Sequence, residues 1–411
     1  MYLAQHIYCN GEELTHLVIG GEVQQVKQFT FGCVKAIKSV TFEDGVKTIG
    51  DCAFYECPNL ERVTLPDGLR HVGYRAFYNC PNLNDLQMIG SVGTFSEYAF
   101  FGSPLQGTLT FPAHVDTISY AAFCYCDFDQ LVFHDVDKIV DYAFYFSPNL
   151  EQLSFQGVVK SIGSGVFDEC PAIKRVEAKD VQSWCQMEFD DATANPLSIT
   201  HQLHIDGNVV KHLDVPAGVS AIHDYAFVYC DSLTSVTVGA GSIGKSAFYK
   251  CANIEEVTLG DSVANVGQQA FYGCTAMARL TLGRGLQSLG TRAFSQGNAI
   301  RNITCRALVP PVIEDKNCFP STVYKKALLT VPYIAMQAYK SADVWKTFVN
   351  MDGAGLGVGD VNGDGEVNIA DINAVIDAIL SGNRRASCDV NGDGEVTIAD
   401  ITTIIEVILN C

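Results

Sequence analysis

The chain has 411 residues, 48% of them apolar and 18% charged, and carries a net charge of −19 at pH 7. This is the composition of a folded protein with room for a sizeable core. The acidic balance argues against nucleic acid or an anionic membrane surface as partner, and there is no membrane span, because no apolar run reaches about eighteen residues.

From the N-terminus, Met1-Tyr2-Leu3-Ala4-Gln5 lacks the basic region and apolar core of an export signal. A repeat then takes over. A phenylalanine, usually preceded by alanine, recurs at Phe31, Phe54, Phe77, Phe100, Phe123, Phe144 and Phe167, then at Phe227, Phe248, Phe271 and Phe294, with intervals of 21 or 23 inside each block. Six, nine and eleven residues after it come apolar positions, such as Leu60, Val63 and Leu65, or Ile254, Val257 and Leu259. That spacing is the L-x-x-L-x-L pattern of a leucine-rich strand. One rung therefore reads as strand, turn, short return segment and a tight helical or 3₁₀ turn carrying Phe. A single rung cannot bury its apolar face, so rungs must stack at about 4.8 Å into a parallel sheet.

Three residues after Phe stand Cys57, Cys80, Cys126, Cys170, Cys230, Cys251 and Cys274, with Ser103 and Ser147 in two rungs. A small residue at one fixed place in each rung points inward, so these seven of the sixteen cysteines read as a ladder of buried thiols, not a disulfide framework. Thr41, Thr64, Thr110, Thr237, Thr258, Thr281 and Thr304 precede the last apolar strand position and read as an exposed face. Tyrosines flank the marker: Tyr55, Tyr78, Tyr145, Tyr249 and Tyr272 directly after it, and Tyr98, Tyr142 and Tyr225 just before Ala-Phe. Because Phe points inward, its neighbours line an outer edge, where Tyr249 and Tyr272 are candidate partner-binding residues or half-buried packing between rungs.

The segment between Phe167 and Phe227, with Ser183-Trp184-Cys185, Phe189 and Asn195-Pro196-Leu197, reads as an irregular longer rung, and about 300–350 reads as a terminal cap over the last rung's edge. The repeat resembles the BspA-type leucine-rich repeat family of bacterial surface proteins. The resemblance implies a right-handed α/β solenoid with a parallel sheet on its concave face, spanning 1–350. It further implies a secreted or cell-surface role in attachment to host matrix proteins, glycans or other bacteria. His16-Leu17 and His212-Leu213 belong to similar stretches at a constant offset of 196, so the chain opens inside a longer rung. The expectation is that an export signal and further rungs lie upstream.

A Gly-rich linker at 351–358 leads to 359–411, where seven Asp and three Glu face two Arg, a net charge of −8. Asp360, Asn362, Asp364, Glu366 and Asp371 occupy positions 1, 3, 5, 7 and 12 of a twelve-residue calcium loop. Asp389, Asn391, Asp393, Glu395 and Asp400 repeat them 29 residues later, with Gly365 and Gly394 at position 6. Oxygen donors at flexible distances suit two Ca²⁺ ions over Mg²⁺, with position 7 giving its carbonyl. One apolar helical stretch follows each loop and none precedes it. Loop then helix, twice, resembles a type I dockerin, an all-α calcium-binding domain. That resemblance implies a cohesin-type partner, with Ile369, Ala370, Ile398 and Ala399 at loop positions 10 and 11 helping to choose it. Cys388 and Cys411 could pair in an oxidising compartment.

No nucleophile motif, H-E-x-x-H or phosphate loop is present, so no catalytic residue is assigned and the chain reads as non-enzymatic. The leading reading is recognition and adhesion through the solenoid. The alternatives are an accessory subunit of a polysaccharide-degrading assembly and a structural spacer.

Overall fold

A computed structural model describes residues 6–239, 241–332, 335–353, 359–362, 366–382, 388–391 and 393–410. The repeat builds a solenoid of parallel strands. His16–Ile19, Ser39–Phe42, Arg62–Leu65 and Asp85–Met88 pair in that order, and seven strands from His212–Val215 to Asn350–Gly353 form the corresponding ladder of the second block. Register is kept residue by residue. Val236, Val257, Leu280, Ile303 and Leu329 line up on the core side, and Thr237, Thr258, Thr281, Thr304 and Thr330 line up beside them.

The return segments make a second parallel ladder, through Thr48–Ile49, Leu69–Val72 and Val92–Phe95, and later Ser242–Ile243, Asn265–Val266 and Ser288–Leu289. In the middle of the first block two 13-residue strands, Gln106–Ile118 and Asp127–Ile139, run through both ladders and join them. The expected turn at Pro112-Ala113 is absorbed as an irregularity in register between Phe111 and His114.

The turn carrying Phe differs from the helical or 3₁₀ turn expected from its spacing. Each turn has a left-handed residue two places before Phe and another two places after, as at Arg75 (φ 53°) and Asn79 (φ 52°) around Phe77, or Tyr142 (φ 58°) and Phe146 (φ 57°) around Phe144. Two such residues interrupt any run of helical dihedrals, so no helix forms. The turns gain instead from their neighbours: the Phe77 amide donates to Ala99 and the Phe100 amide to Ala122, each at 2.7 Å, making a third ladder along the stack.

The core follows from this repetition. Phe54, Phe77, Phe100 and Phe123 are fully buried and stack with centroids 4.9–5.1 Å apart and planes within 8°. Each such ring gives about 1.5–3 kcal/mol from burial and each stacked pair about 0.5–1.5 kcal/mol more. The thiols sit inside as read, and six of the seven bond to a carbonyl across rungs, as Cys80 donates to Phe54 at 3.2 Å and Cys274 to Phe248 at 3.4 Å, while Cys230 meets the Ser232 hydroxyl of its own rung. Ser103 makes the same bond to Phe77 at 2.8 Å. All fifteen described cysteines are free.

Between the blocks, the short helix Val181–Cys185 is capped by the Asp180 carboxylate. It buries Trp184, whose indole N–H donates to the Ala226 carbonyl at 2.7 Å. The Asn195 amide reaches the Tyr225 and Ala226 carbonyls at 2.9 Å. These bonds stitch the irregular segment to the second block. A hairpin, His204–Ile205 with Asn208–Val209, precedes His212 as the hairpin Tyr8–Cys9 with Glu12–Glu13 precedes His16. His16 and His212 each place Nδ1 2.8 Å from a serine hydroxyl of the next rung. The offset seen in the sequence is thus a repeat of structure.

At the far end Leu328–Val331 and Asn350–Gly353 extend the strand ladder, while buried Tyr339 and Trp345 donate to the Ala307 and Pro311 carbonyls at 2.9 and 2.7 Å. Helices Ile369–Ser381 and Ile398–Asn410 share a separate small apolar core around Val375, Ala378 and Ile404.

Candidate functional site: two calcium loops and an aromatic edge

Each C-terminal loop folds around the carboxylate at position 12. Asp371 is fully buried and accepts the Asn362 and Asn368 amides, both at 2.9 Å. Asn368 caps the helix that follows, with Asp371 completing a capping box. Asp400, equally buried, accepts the Val390, Asn391 and Thr397 amides at 2.7, 3.1 and 2.8 Å. The same carboxylate therefore ends the loop and starts the helix, where the helix dipole favours negative charge.

In the second loop Asn391 and Asp393 fold back on the loop, Asn391 Oδ1 accepting the Asp393 amide and Asp393 Oδ1 the Glu395 amide, both at 2.9 Å. Gly394, at φ 89°, makes the sharp turn that position 6 requires. Asp389 Oδ2 accepts the Gly394 amide at 2.9 Å, and its other oxygen is buried with no hydrogen-bond partner. A buried carboxylate oxygen left unbonded among Asn and Asp oxygens is what a hard cation would satisfy, so the residues present fit calcium. In the first loop the Asp360 side chain is buried with the Arg284 guanidinium at 3.7 Å, and Glu366 is exposed. Asp364 lies outside the described residues, as does Cys411, so its pairing with the buried Cys388 does too.

The residues at loop positions 10 and 11 point outward. Ile369 and Ile398 are 72% and 73% exposed, and Ala370 and Ala399 are exposed beside them. The sequence reading missed their continuation: Ile376 and Leu380 on the first helix and Ile405 and Leu409 on the second are also exposed, at the same 29-residue offset. Two equivalent apolar stripes therefore face away from the small core.

On the solenoid, the residues around Phe form an aromatic edge. Tyr55, Tyr78 and Phe101 stack at 5.4 and 5.1 Å with planes within 5°. Beside them Tyr98, Tyr120 and Tyr142 meet edge to face at 5.6 and 5.8 Å. Arg75 lies over Tyr74 and Tyr78, both at 4.9 Å, and its buried Nε has no hydrogen-bond partner, so the rings themselves hold this cation. Tyr249 and Tyr272 stack at 5.1 Å in the second block and are half-buried, with the Tyr272 hydroxyl accepting from Gln296 at 2.6 Å. The more exposed rings lie in the first block, Tyr120, Tyr125, Tyr142 and Phe146 together with Phe29 and Tyr74. Sequence spacing marks all of these positions, and only the packing of neighbouring rungs tells them apart.

A stack of leucine-rich rungs with an exposed aromatic edge, joined to paired calcium-type loops with outward apolar helices, defines a repeat scaffold carrying a docking module. The model of the BspA type leucine rich repeat region matches residues 2–129, 117–204 and 198–321, and the chain belongs to that family. The type I dockerin domain matches residues 358–409; such domains bind calcium and take a cohesin-type partner. Proteins of both families are typically extracellular or at the cell surface, and the two domain types are generally non-catalytic.

Solved structures similar to this chain include a leucine rich cell surface protein from Faecalibacterium prausnitzii, 20% identical, covering 84% of this chain and 92% of that one, with a TM-score of 0.37. A leucine-rich repeat protein from Bacteroides ovatus is 18% identical over 86% and 91%, with a TM-score of 0.42. The pneumococcal vaccine antigen PcpA is 17% identical over 83% and 79%, with a TM-score of 0.33. A search of curated proteins finds no match. Among the described residues no helix is long and apolar enough to cross a membrane.

Proposed function

We propose that this chain is a non-catalytic recognition scaffold acting outside a bacterial cell: the solenoid binds a host matrix protein or a glycan, and the C-terminal module holds the solenoid in place. The observation that carries this reading is the exposed aromatic edge on the same chain as a docking domain. Stacked tyrosines present large, rigid contact area at little entropic cost, which suits recognition and supplies no nucleophile.

In the module, each loop takes one Ca²⁺. Asp360, Asn362, Asp364, Glu366 and Asp371 hold the first, and Asp389, Asn391, Asp393, Glu395 and Asp400 the second, with Glu366 and Glu395 giving their carbonyls. A bound ion supplies positive charge against the net −8 of 359–411. The residues around it do the rest: Asp371 and Asp400 tie loop to helix, and Ile369, Ala370, Ile398 and Ala399 present matching apolar contacts to a cohesin-type module. Their duplication supports docking in either of two orientations.

The dockerin match also favours a second reading, an accessory subunit of a polysaccharide-degrading assembly. One experiment separates the two. Full-length protein, its Y120A/Y142A variant and its Y249A/Y272A variant are applied to immobilised matrix proteins and to a panel of polysaccharides. Matrix binding lost in the tyrosine variants supports adhesion, polysaccharide binding lost in them supports the assembly reading, and no binding to either surface sinks both.

A further inference from the structure

The return-strand ladder is broken at one point between the blocks. In the neighbouring rungs the residue after the return strand donates its amide to the carbonyl one rung below: Gly163 to Ile139 at 2.8 Å, Asp190 to Ile162 at 3.1 Å and Gly244 to Ile222 at 2.8 Å. His223 holds the same place in its rung, and its amide goes to Cys185 at 3.1 Å instead. The amide that would reach the Phe189 carbonyl is thus diverted. Among the described residues the strand Glu188–Phe189 pairs with Val159–Ile162 on one side and with no strand on the other.

The rungs part here around an open cavity of about 480 Å³. Phe189 and Ile222 line it between Glu188 and Asp190 on one rung and His223 and Asp224 on the next. Glu188 Oε1 stands 3.8 Å from His223 Nδ1. The lysine that follows the cleft, Lys245, turns its ammonium over the Tyr225 ring at 5.5 Å. Glu188, Asp190 and Asp224 thus line the cavity beside the open strand edge, Asp224 Oδ1 also accepting the Lys245 amide at 2.6 Å.

We propose that this cleft captures an extended segment of a partner protein by strand addition. The incoming peptide pairs with Glu188–Phe189 and donates an N–H toward the Phe189 carbonyl, while a Lys or Arg side chain lies among Glu188, Asp190 and Asp224. Charge selects the side chain and the open edge selects the extended backbone. A neutral glycan uses neither feature, and a free cation uses only the first. The proposal deepens the recognition role above by naming a basic, extended protein segment as ligand, and it rests on that role.

The test uses the full chain in calcium at about 0.15 M salt, where exposed charges beyond about 8 Å are screened. A labelled, capped six-residue peptide alternating threonine and lysine is titrated by fluorescence anisotropy. Its backbone N-methylated form and spermine are titrated in competition. Expected is saturable binding of the plain peptide, weakened at least about tenfold by E188Q/D190N and by N-methylation, and unchanged by E22Q/E43Q, which removes two acids elsewhere. Three results would overturn the proposal: no binding of the plain peptide, equal competition by spermine or the N-methylated peptide, or equal loss in E22Q/E43Q. The N-methylation arm uses unaltered protein and so does not depend on how a variant folds. Peptide binding that survives in Y120A/Y142A while surface binding is lost separates this cleft from the aromatic edge.

Discussion

The Cys251 thiol donates to the Phe227 carbonyl, 2.9 Å away in the preceding rung, and both residues are fully buried. The thiol thus satisfies a main-chain group as well as filling space. C251S keeps a donor, as Ser103 does naturally, whereas C251A leaves that carbonyl without it, at a cost of about 1–3 kcal/mol. Urea unfolding should place C251A below C251S; equal midpoints would remove the hydrogen bond from the account.

The same thiols set an alkaline limit. Burial pushes Cys170, Cys230 and Cys305 up to about 11 and Cys185 and Cys318 up to about 12, from a usual value of 9.0. Below pH 9 folded and unfolded chains both keep these protons, so stability is unaffected. Between about 9 and 11 only the unfolded chain loses them, and stability falls by up to about 1.4 kcal/mol per pH unit for each thiol. Melting temperature measured from pH 7 to 11 should hold level and then drop steeply. A flat profile to pH 11 would contradict this.

Stacking distance depends on glycine at the end of the return strand. A Cβ on Gly267 would meet the Gly244 backbone at 2.7 Å, and nothing there can turn aside. G267A should therefore destabilise the solenoid by about 1–3 kcal/mol, as overpacking does, while G218A, with open space around it, should be neutral or slightly stabilising. Paired thermal melts decide the matter.

Calcium should order the C-terminal module. Titrating calcium into chelator-treated full-length protein is expected to raise helical ellipticity and protect amides of Ile369–Ser381 and Ile398–Asn410 from exchange, with D389A losing the second ion and keeping the first. The solenoid amides serve as the internal control. Unchanged exchange across both helices would end the metal assignment.

Much of this was legible in the sequence because the solenoid is governed by spacing. An interval of 21 or 23 puts Phe over Phe and Cys over Cys whatever the intervening residues do. The loops were legible for a similar reason, since their candidate ligands follow one another in the chain. The left-handed residues were not, because nothing about Tyr98 or Arg75 announces a positive φ; the bonds between neighbouring turns impose it. Nor was the strand through Pro112, where pairing with Asp127–Ile139 overrides local turn chemistry. The relative exposure of Tyr120 and Tyr272 depends on the side chain one rung away, some 24 residues off in the case of Gln296 and Tyr272. The cleft at Phe189 depends on a hydrogen bond that goes elsewhere, which no motif records.

The rung-to-rung bonds run along the stack, so a pull between a ligand on the aromatic edge and an anchored C-terminus would load successive rungs in series. A scaffold of this kind yields as a spring yields, coil by coil. The return layer lacks its regular bond between Phe189 and His223, so there the Trp184 and Asn195 bonds would take up the tension. Under flow, the junction between the blocks would act as the molecule's shock absorber.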